Sequence, residues 1–488
     1  MAEDPWLRDG AELVLNRHTH SAAGGQVLLG GSPARVMMLT PRAAALVRHR
    51  TFQVTDDFSR RLAEHLLAAG MADPLPRSLA ARSAAGITAV IPVYRRPVQL
   101  RRLLESISAV LPLCPVIVVD DASGDSSAEI AELAEHCGAK YVPLSENLGP
   151  GEARNAGLAQ VESEFVLFVD TDVVLEPGSI DFLLRHFSDP QLAAAAPRVK
   201  GLPHTKQRWV LDYENARSSL DHGPAAGLVN PHSMLSWVST TCLLARTAAV
   251  AEGFSSGMRV AEDVDLIWRL TGTGWRVRYE PASVVRHEHR STVASWLARK
   301  YVYGTGAASL AQRHGDLVAP AVLAPWAGTA LALTVLQRRW PLVMAGGLTC
   351  WAYIATVWKL RRLSLSPQQR CLLSARLVGL GLITALGQGI NLTVRHWVPG
   401  TVIASFFSRR TRRVLLISAA FDAVWEYSRL KPGMRLLRFA AARRLDDIAY
   451  GLGVWSSAMR SGSLITALKT LGPARPIRPR SKSGPVRL

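Results

Sequence analysis

The run EFVLFVDTDVVLEP at residues 164–177 constrains the fold more than any other stretch. Phe165, Val166, Leu167, Phe168 and Val169 are consecutive apolar residues, all but Leu167 aromatic or β-branched. A strand buried on both faces reads this way, and such strands belong to parallel sheets covered by helices on each side. The run stops at Asp170, Thr171 and Asp172. Ligands of open α/β sheets bind beyond the carboxyl ends of the strands, so both carboxylates are expected at the rim of a pocket. Alternate strand residues point the same way, which lets Asp170 and Asp172 face one hard cation together. Turns also favour aspartate for local reasons, so the flanking chain has to decide.

Upstream, residues 87–91 (ITAVI) form a second buried strand, stopped at Pro92 and followed by Val93, Tyr94, Arg95 and Arg96. A helix over 98–110 returns to a third strand at 116–119, which ends in Asp120 and Asp121. Another helix at 127–137 leads to a short strand at 140–142. Strand–helix–strand alternation at this spacing predicts a right-handed, mostly parallel α/β sheet. Between the strands, NLGPGEARNAG (147–157) offers glycines for close backbone approach, a helix N-terminus for phosphate, and the cation Arg154. Glycine before a helix also serves plain turns. RVAEDVDLIWRL (259–270) sets Glu262, Asp263 and Asp265 at a helix start. Complementing the helix dipole accounts for such acids without chemistry, and Asp265 fits that reading. VVRHEHR (284–290) is an apolar strand ending in His287 and His289, imidazoles that serve as structural groups or metal ligands.

Together, TAVIPVYRR, VIVVDDAS, NLGPGEARNAG, FVLFVDTDV, RVAEDVDLIWRL and VVRHEHRS resemble, in this order, the family-2 glycosyltransferases of GT-A fold. The resemblance covers residues 86–300. It implies a mostly parallel sheet with a Rossmann-like nucleotide-binding half, and inverting transfer of a sugar from a UDP-sugar to an acceptor hydroxyl. It also implies roles. Pro92, Tyr94, Asp120, Asp121 and Arg154 hold the uridine, and Asp170 lies near ribose or sugar. Asp172 binds a divalent Mg2+ or Mn2+ with His287 as a further ligand, and Asp263 is the general base. The chemistry suits these groups. A leaving diphosphate needs a neutralising cation, and a hydroxyl nucleophile needs a base. The Q-x-x-R-W pattern of processive synthases does not follow the base, so a cellulose- or chitin-type polymerase is not expected.

The net charge of +19 is unevenly placed. From Val318 onward there are 25 Lys/Arg against 4 Asp/Glu, while residues 1–317 carry 32 against 34. The excess sits beside the most apolar segments. Lipid-facing juxtamembrane charge explains this better than nucleic-acid binding, and no nucleic-acid partner is expected. Apolar runs at 317–336 and 340–358 are long enough to span a bilayer, with 377–394 and 397–407 as weaker candidates; pairs of buried soluble helices read similarly. Residues 296–312 suggest an interfacial helix. Basic clusters at 359–362 and 409–413 assign the cytoplasmic side, giving a multi-pass protein of the cytoplasmic membrane with its catalytic domain inside. Cys114, Cys137, Cys242, Cys350 and Cys371 form no paired framework and read as reduced thiols.

Residues 1–85 alternate short strands with turns, then place a helix after Thr40-Pro41 and another from Thr55, a small winged-helix-like docking domain followed by a linker at 74–83. The expected order is therefore docking domain (1–85), GT-A domain (86–300), interfacial and transmembrane helices (301–410) and a basic cytoplasmic tail (411–488), with amphipathic, basic helices at 415–427 and 434–449 and a solvated end at 475–488. With GGSPARVMMLTPRAAALV near the start, this order resembles the mycofactocin-system glycosyltransferases, which add glucose to a peptide-derived redox cofactor. The acceptor implied is that cofactor or its precursor. A lipid or cell-wall glycan acceptor is the alternative, and a non-catalytic membrane scaffold a further one.

Overall fold

The structure is a computed structural model that describes residues 6–32, 35–204, 208–231, 233–361, 363 and 365–474. The solvated tail expected at 475–488 lies outside the described residues. The chain divides into two compact units. One holds Met1–Thr205 and Ser218–His289, and the other Lys206–Arg217 and Arg290–Gly484.

The first unit is built on a nine-stranded sheet. Phe165–Val169 lies in its middle, buried at every position, as its unbroken apolar run requires. It pairs in parallel with Ile87–Val93, which pairs in parallel with Val116–Asp120, and that strand with Lys140–Pro143. This half matches the expected parallel arrangement. The other half is mixed. Cys242–Arg246 runs antiparallel to Phe165–Val169 and to Leu192–Gly201, and Leu192–Gly201 runs parallel to Arg276–His287. A five-residue buried strand carries no direction in its own sequence. Its partner lies about eighty residues away, so strand direction could not be read from this run.

Helix Pro97–Val110 begins on a proline that supplies the first helical φ, and buries Leu100, Leu103, Leu104 and Ile107 at helical spacing. Pro150–Leu158 lies close on the sheet. A Cβ at Gly157 would fall 2.4 Å from Val90 Cγ1, so this glycine of the NLGPGEARNAG run serves packing.

Residues 6–82 form two three-stranded antiparallel sheets and two helices around their own core. Thr40 caps Pro41–Leu46 as expected. The second helix, Asp57–Ala68, starts slightly later than expected. Its start, expected at Thr55, is set where Asp56 accepts the Ser59 N–H at 2.7 Å in a capping box. The expected linker is not free chain, because Pro74 ends a strand and Leu79 is buried in this core. Asp73 forms a 2.7 Å ion pair with Arg278 on the catalytic sheet, each side chain about one-twentieth exposed. Asn16 Nδ2 donates to the Ala226 carbonyl at 2.9 Å.

The second unit is helical. The span expected at 317–336 is interrupted by Pro320 and Pro325, and only Pro325–Val335 is α-helical. Eleven residues rise about 16 Å, roughly half the hydrocarbon thickness. Among the described residues, Arg339–Leu360 and Pro367–His396 are the two helices long and apolar enough to cross a membrane. The third candidate is thus the interior of a 30-residue helix, and Val398–Phe407 stays short. The segment expected to be interfacial lies within Val293–His314, but Trp296 and Lys300 are each only 1% exposed. That helix is central. It meets Leu436–Arg460 at paired glycines, where a Cβ on Gly304 would fall 2.2 Å from the Tyr450 carbonyl oxygen and one on Gly453 2.1 Å from that of Tyr301. In the basic region after Arg413, the amphipathic helices expected at 415–427 and 434–449 are present as the longer Arg409–Leu430 and Leu436–Arg460, and Leu464–Leu471 follows as a third helix.

Candidate active site

The carboxyl ends of the parallel strands bring the expected loops to one rim. Three non-glycine residues there have left-handed backbone: Arg95 (φ 55°), Ala122 (φ 56°) and Ala261 (φ 65°). Such conformations cost energy that the surrounding structure must offset, and they gather where geometry serves function.

Pro92 pairs with Val119 inside the sheet, and Tyr94 stands exposed with the Arg95 guanidinium 5.0 Å from its ring centre. Asp120 and Asp121 are buried and committed. Asp120 accepts the Ser123 N–H at 3.0 Å and the Tyr141 hydroxyl at 2.8 Å. Burial alone would raise its pKa, but hydrogen bonds from Ser123, Ser127 and Tyr141 outweigh it and lower the value. Asp121 accepts the N–H groups of Leu148 at 2.7 Å and Gly149 at 2.9 Å. It thereby pins the glycine loop, with Gly149 at φ 93°.

Arg154 is 2% exposed. Its guanidinium bridges Asp170 Oδ1 at 2.5 Å and Glu262 Oε1 at 3.1 Å. The cation expected to reach nucleotide is spent on two carboxylates, tying the strand that carries Asp170 to the helix that carries Asp263. That helix, Glu262–Gly272, opens with its three acids in different roles. Asp265 is fully buried and accepts from Ser255 at 2.6 Å and Arg269 at 3.0 Å, a structural role as its position suggested. Glu262 holds Arg154. Asp263 Oδ1 accepts the Val264 N–H at 2.8 Å. Burial, then the neighbouring Glu262 charge, push the Asp263 carboxyl up to about 7, with Asp170 adding to the rise and Arg154 opposing it.

Asp172 and His287 are brought together by the pairing of Val173 with His287, and their Oδ1 and Nε2 atoms lie 3.3 Å apart. The other Asp172 oxygen is held by Arg96. Burial opposes its charge, yet His287 and Arg96 keep the carboxyl far below the usual range. His287 Nδ1 lies 3.4 Å from His289 Nδ1, and Glu288 pairs with Arg102 at 2.5 Å. Asp170 and Asp172 thus do not share one partner, since each faces a different arginine. Among the described residues no three His, Cys, Asp or Glu side chains gather as a metal cage. Asp172 with His287 supplies two converging donors. That set fits a divalent ion completed by substrate phosphate and water.

Two contributors were not assigned roles from sequence: Arg96, the N-cap residue of Pro97–Val110, and Glu262. The doubled arginine directly before the helix-starting Pro97 was the available signal for the first.

Residues 88–241 match Glycosyl transferase family 2, and residues 165–386 match Glycosyl transferase family group 2. The chain is 37% identical over 476 residues to the pre-mycofactocin glycosyltransferase of Mycobacterium tuberculosis, covering 95% of this chain and 98% of that one. It is 26% identical over 206 residues to poly-beta-1,6-N-acetyl-D-glucosamine synthase of Staphylococcus aureus, covering 41% of this chain and 49% of that one. A mannosyltransferase from Pyrobaculum calidifontis, solved in complex with GDP-Man and Mn2+, aligns with a TM-score of 0.37 and 16% identity, over 74% of this chain and 87% of that one.

Proposed function

The chain belongs to glycosyltransferase family 2 and is a glycosyltransferase of GT-A fold, and we propose that it moves a hexose, glucose, from a UDP-sugar to a hydroxyl of pre-mycofactocin with inversion at the anomeric carbon. One observation carries the chemistry: a carboxyl held near neutrality, Asp263, sits beside the Glu262–Arg154–Asp170 bridge. A base whose pKa matches the working pH takes a proton most effectively. The acceptor oxygen bonds to the anomeric carbon as the bond to the diphosphate oxygen breaks, and its proton passes to Asp263.

Pro92, Tyr94, Asp120 and Asp121 frame the uridine, with Arg154 acting through Asp170 and Glu262, which it ties together, and Asp170 faces ribose or sugar. Asp172 and His287 hold Mg2+ or Mn2+, which when bound neutralises charge on the departing diphosphate. Near-full-length similarity to a pre-mycofactocin glycosyltransferase supports this acceptor. The winged-helix-like residues 1–85 hold the acceptor or its carrier. Arg339–Leu360 and Pro367–His396 cross the cytoplasmic membrane, leaving the catalytic unit in the cytoplasm. Only 11% and 28% of their apolar windows are buried, unlike core helices of a soluble protein.

The test is incubation of the purified full chain with Mn2+, pre-mycofactocin and a panel of nucleotide sugars, scored by product mass and nucleotide release. Addition of a hexose with UDP-glucose is expected. Transfer from no UDP-sugar, or only to lipid or glycan, would sink this reading.

A further inference from the structure

Two long helices of the second unit are turned inside out by the standards of a protein in water. Arg409–Leu430 points Ile417, Phe421 and Trp425 outward at 50–68% exposure. One position round the helix, Asp422 and Glu426 face inward, with side chains 14% and 13% exposed. Leu436–Arg460 repeats the pattern. Leu437, Ile448, Leu452 and Met459 are exposed, whereas Arg443, Asp446 and Asp447 are 0–2% exposed.

The inward groups form one ion network. Arg395 pairs with Asp446 at 3.1 Å and Asp447 at 2.9 Å. Arg443 reaches Asp447 at 2.5 Å and Asp422 at 3.2 Å, and Arg444 reaches both of these aspartates. Lys300 joins Glu214 at 2.8 Å and Asp446 at 3.7 Å, and Tyr213 donates to Asp446 at 3.0 Å. Four cations thus meet four carboxylates, with none of these side chains more than 23% exposed.

In water this arrangement loses on both faces, because desolvating the ions is costly and the apolar face stays wet. In hydrocarbon both preferences reverse: charge belongs in the bundle interior, paired, and apolar side chains belong outside. We infer that the outer faces of Arg409–Leu430 and Leu436–Arg460 contact lipid acyl chains. Neither helix is apolar enough to register as a membrane span, because the interior ions lower its average. Arg409, Arg410, Arg412 and Arg413 add charge complementarity. They crowd the positive end of a helix dipole, where an anion is wanted, and lipid phosphate supplies one.

This inference rests on the membrane association proposed above and enlarges the contact beyond its two spans. The test uses full-length chain with exposed Cys137, Cys350 and Cys371 changed to Ser, reconstituted in phosphatidylcholine–phosphatidylglycerol vesicles. Nitroxides are attached at Phe421→Cys, Leu437→Cys, Leu452→Cys and, on a proposed span, Ile354→Cys, with the unsubstituted background subtracted. Relaxation by oxygen, which concentrates in lipid, is compared with relaxation by a water-soluble nickel chelate. Oxygen dominance severalfold at residues 421, 437 and 452 is expected. Nickel dominance at these sites with oxygen dominance at residue 354 would overturn this inference alone, and nickel dominance at all four would overturn the membrane reading. Low access to both reagents at residues 421, 437 and 452 would mean that protein covers these faces, for example a second copy, and would equally overturn it.

Discussion

At the scale of single residues, the proposed mechanism makes the surroundings of Asp263 decide at which pH its carboxyl can accept a proton. Its carboxyl ordinarily ionises near 3.8 and here is raised to about 7, by burial first and Glu262 second. A base must be deprotonated, so kcat/KM is expected to rise with pH through about 7. Asp263→Asn should lower turnover by about 10²–10⁴-fold with UDP affinity nearly unchanged in calorimetry; lost affinity at a retained rate would remove the base assignment. Glu262→Gln takes away a neighbouring negative charge, so the acid limb should move to lower pH, and an unmoved limb would contradict the assigned cause. The linkage has a sign. Between about 3.8 and 7 the folded carboxyl holds a proton that the unfolded one has released, so this group's share of stability falls as pH rises across that window. A second prediction concerns the metal: Asp172→Ala should abolish Mn2+-dependent UDP binding, and His287→Ala should weaken it less. Metal-independent UDP binding by the unaltered chain would refute both. The acids themselves were legible in the sequence because they end strands or open a helix. The inward turn of Arg154 was not, since its partners Asp170 and Glu262 lie 16 and 108 residues away.

Among elements, the crossing of Val293–His314 over Leu436–Arg460 depends on absent side chains. A Cβ at Gly453 would meet the Tyr301 carbonyl oxygen at 2.1 Å, and no rotamer relieves a clash with backbone. Gly453→Ala is therefore expected to destabilise by about 1–3 kcal/mol, read from thermal unfolding in detergent. Gly346, inside Arg339–Leu360, meets nothing within 4 Å. Gly346→Ala should be neutral or stabilising by up to about 1 kcal/mol, and equal melting of the two variants would deny the close crossing. The buried strands were readable from their apolar runs, and the alternation of the nucleotide half fixed their parallel order. At 317–336 the apolar run is long enough for a span, but Pro320 and Pro325 within it decide where the helix starts. The amphipathic helices after Arg413 were legible in their own pattern, but the ion network they share was not, because Glu214, Lys300 and Arg395 reach it from distant segments.

Across the first unit, the N-terminal sheets are joined to the catalytic sheet by a buried charge pair. Asp73→Ala should leave Arg278 buried without its partner and cost about 3–5 kcal/mol, more than the double change with Arg278→Met. If the two variants unfold together, the pair does not anchor this region. The sequence marked a folded N-terminal unit through its turns and caps, but nothing local in Asp73 or Arg278 announces a partner. Their separation is 205 residues, and it has a consequence for biogenesis. At roughly 5–20 residues per second, Arg278 leaves the ribosome about 10–40 s after Asp73. For that interval the nascent N-terminal sheets have only their own small core to hold the edge strand Ala72–Pro74 in register, and the Asp73 carboxylate, on the surface that the catalytic sheet will later cover, has the Asn16 Nδ2 donor but not yet its Arg278 partner.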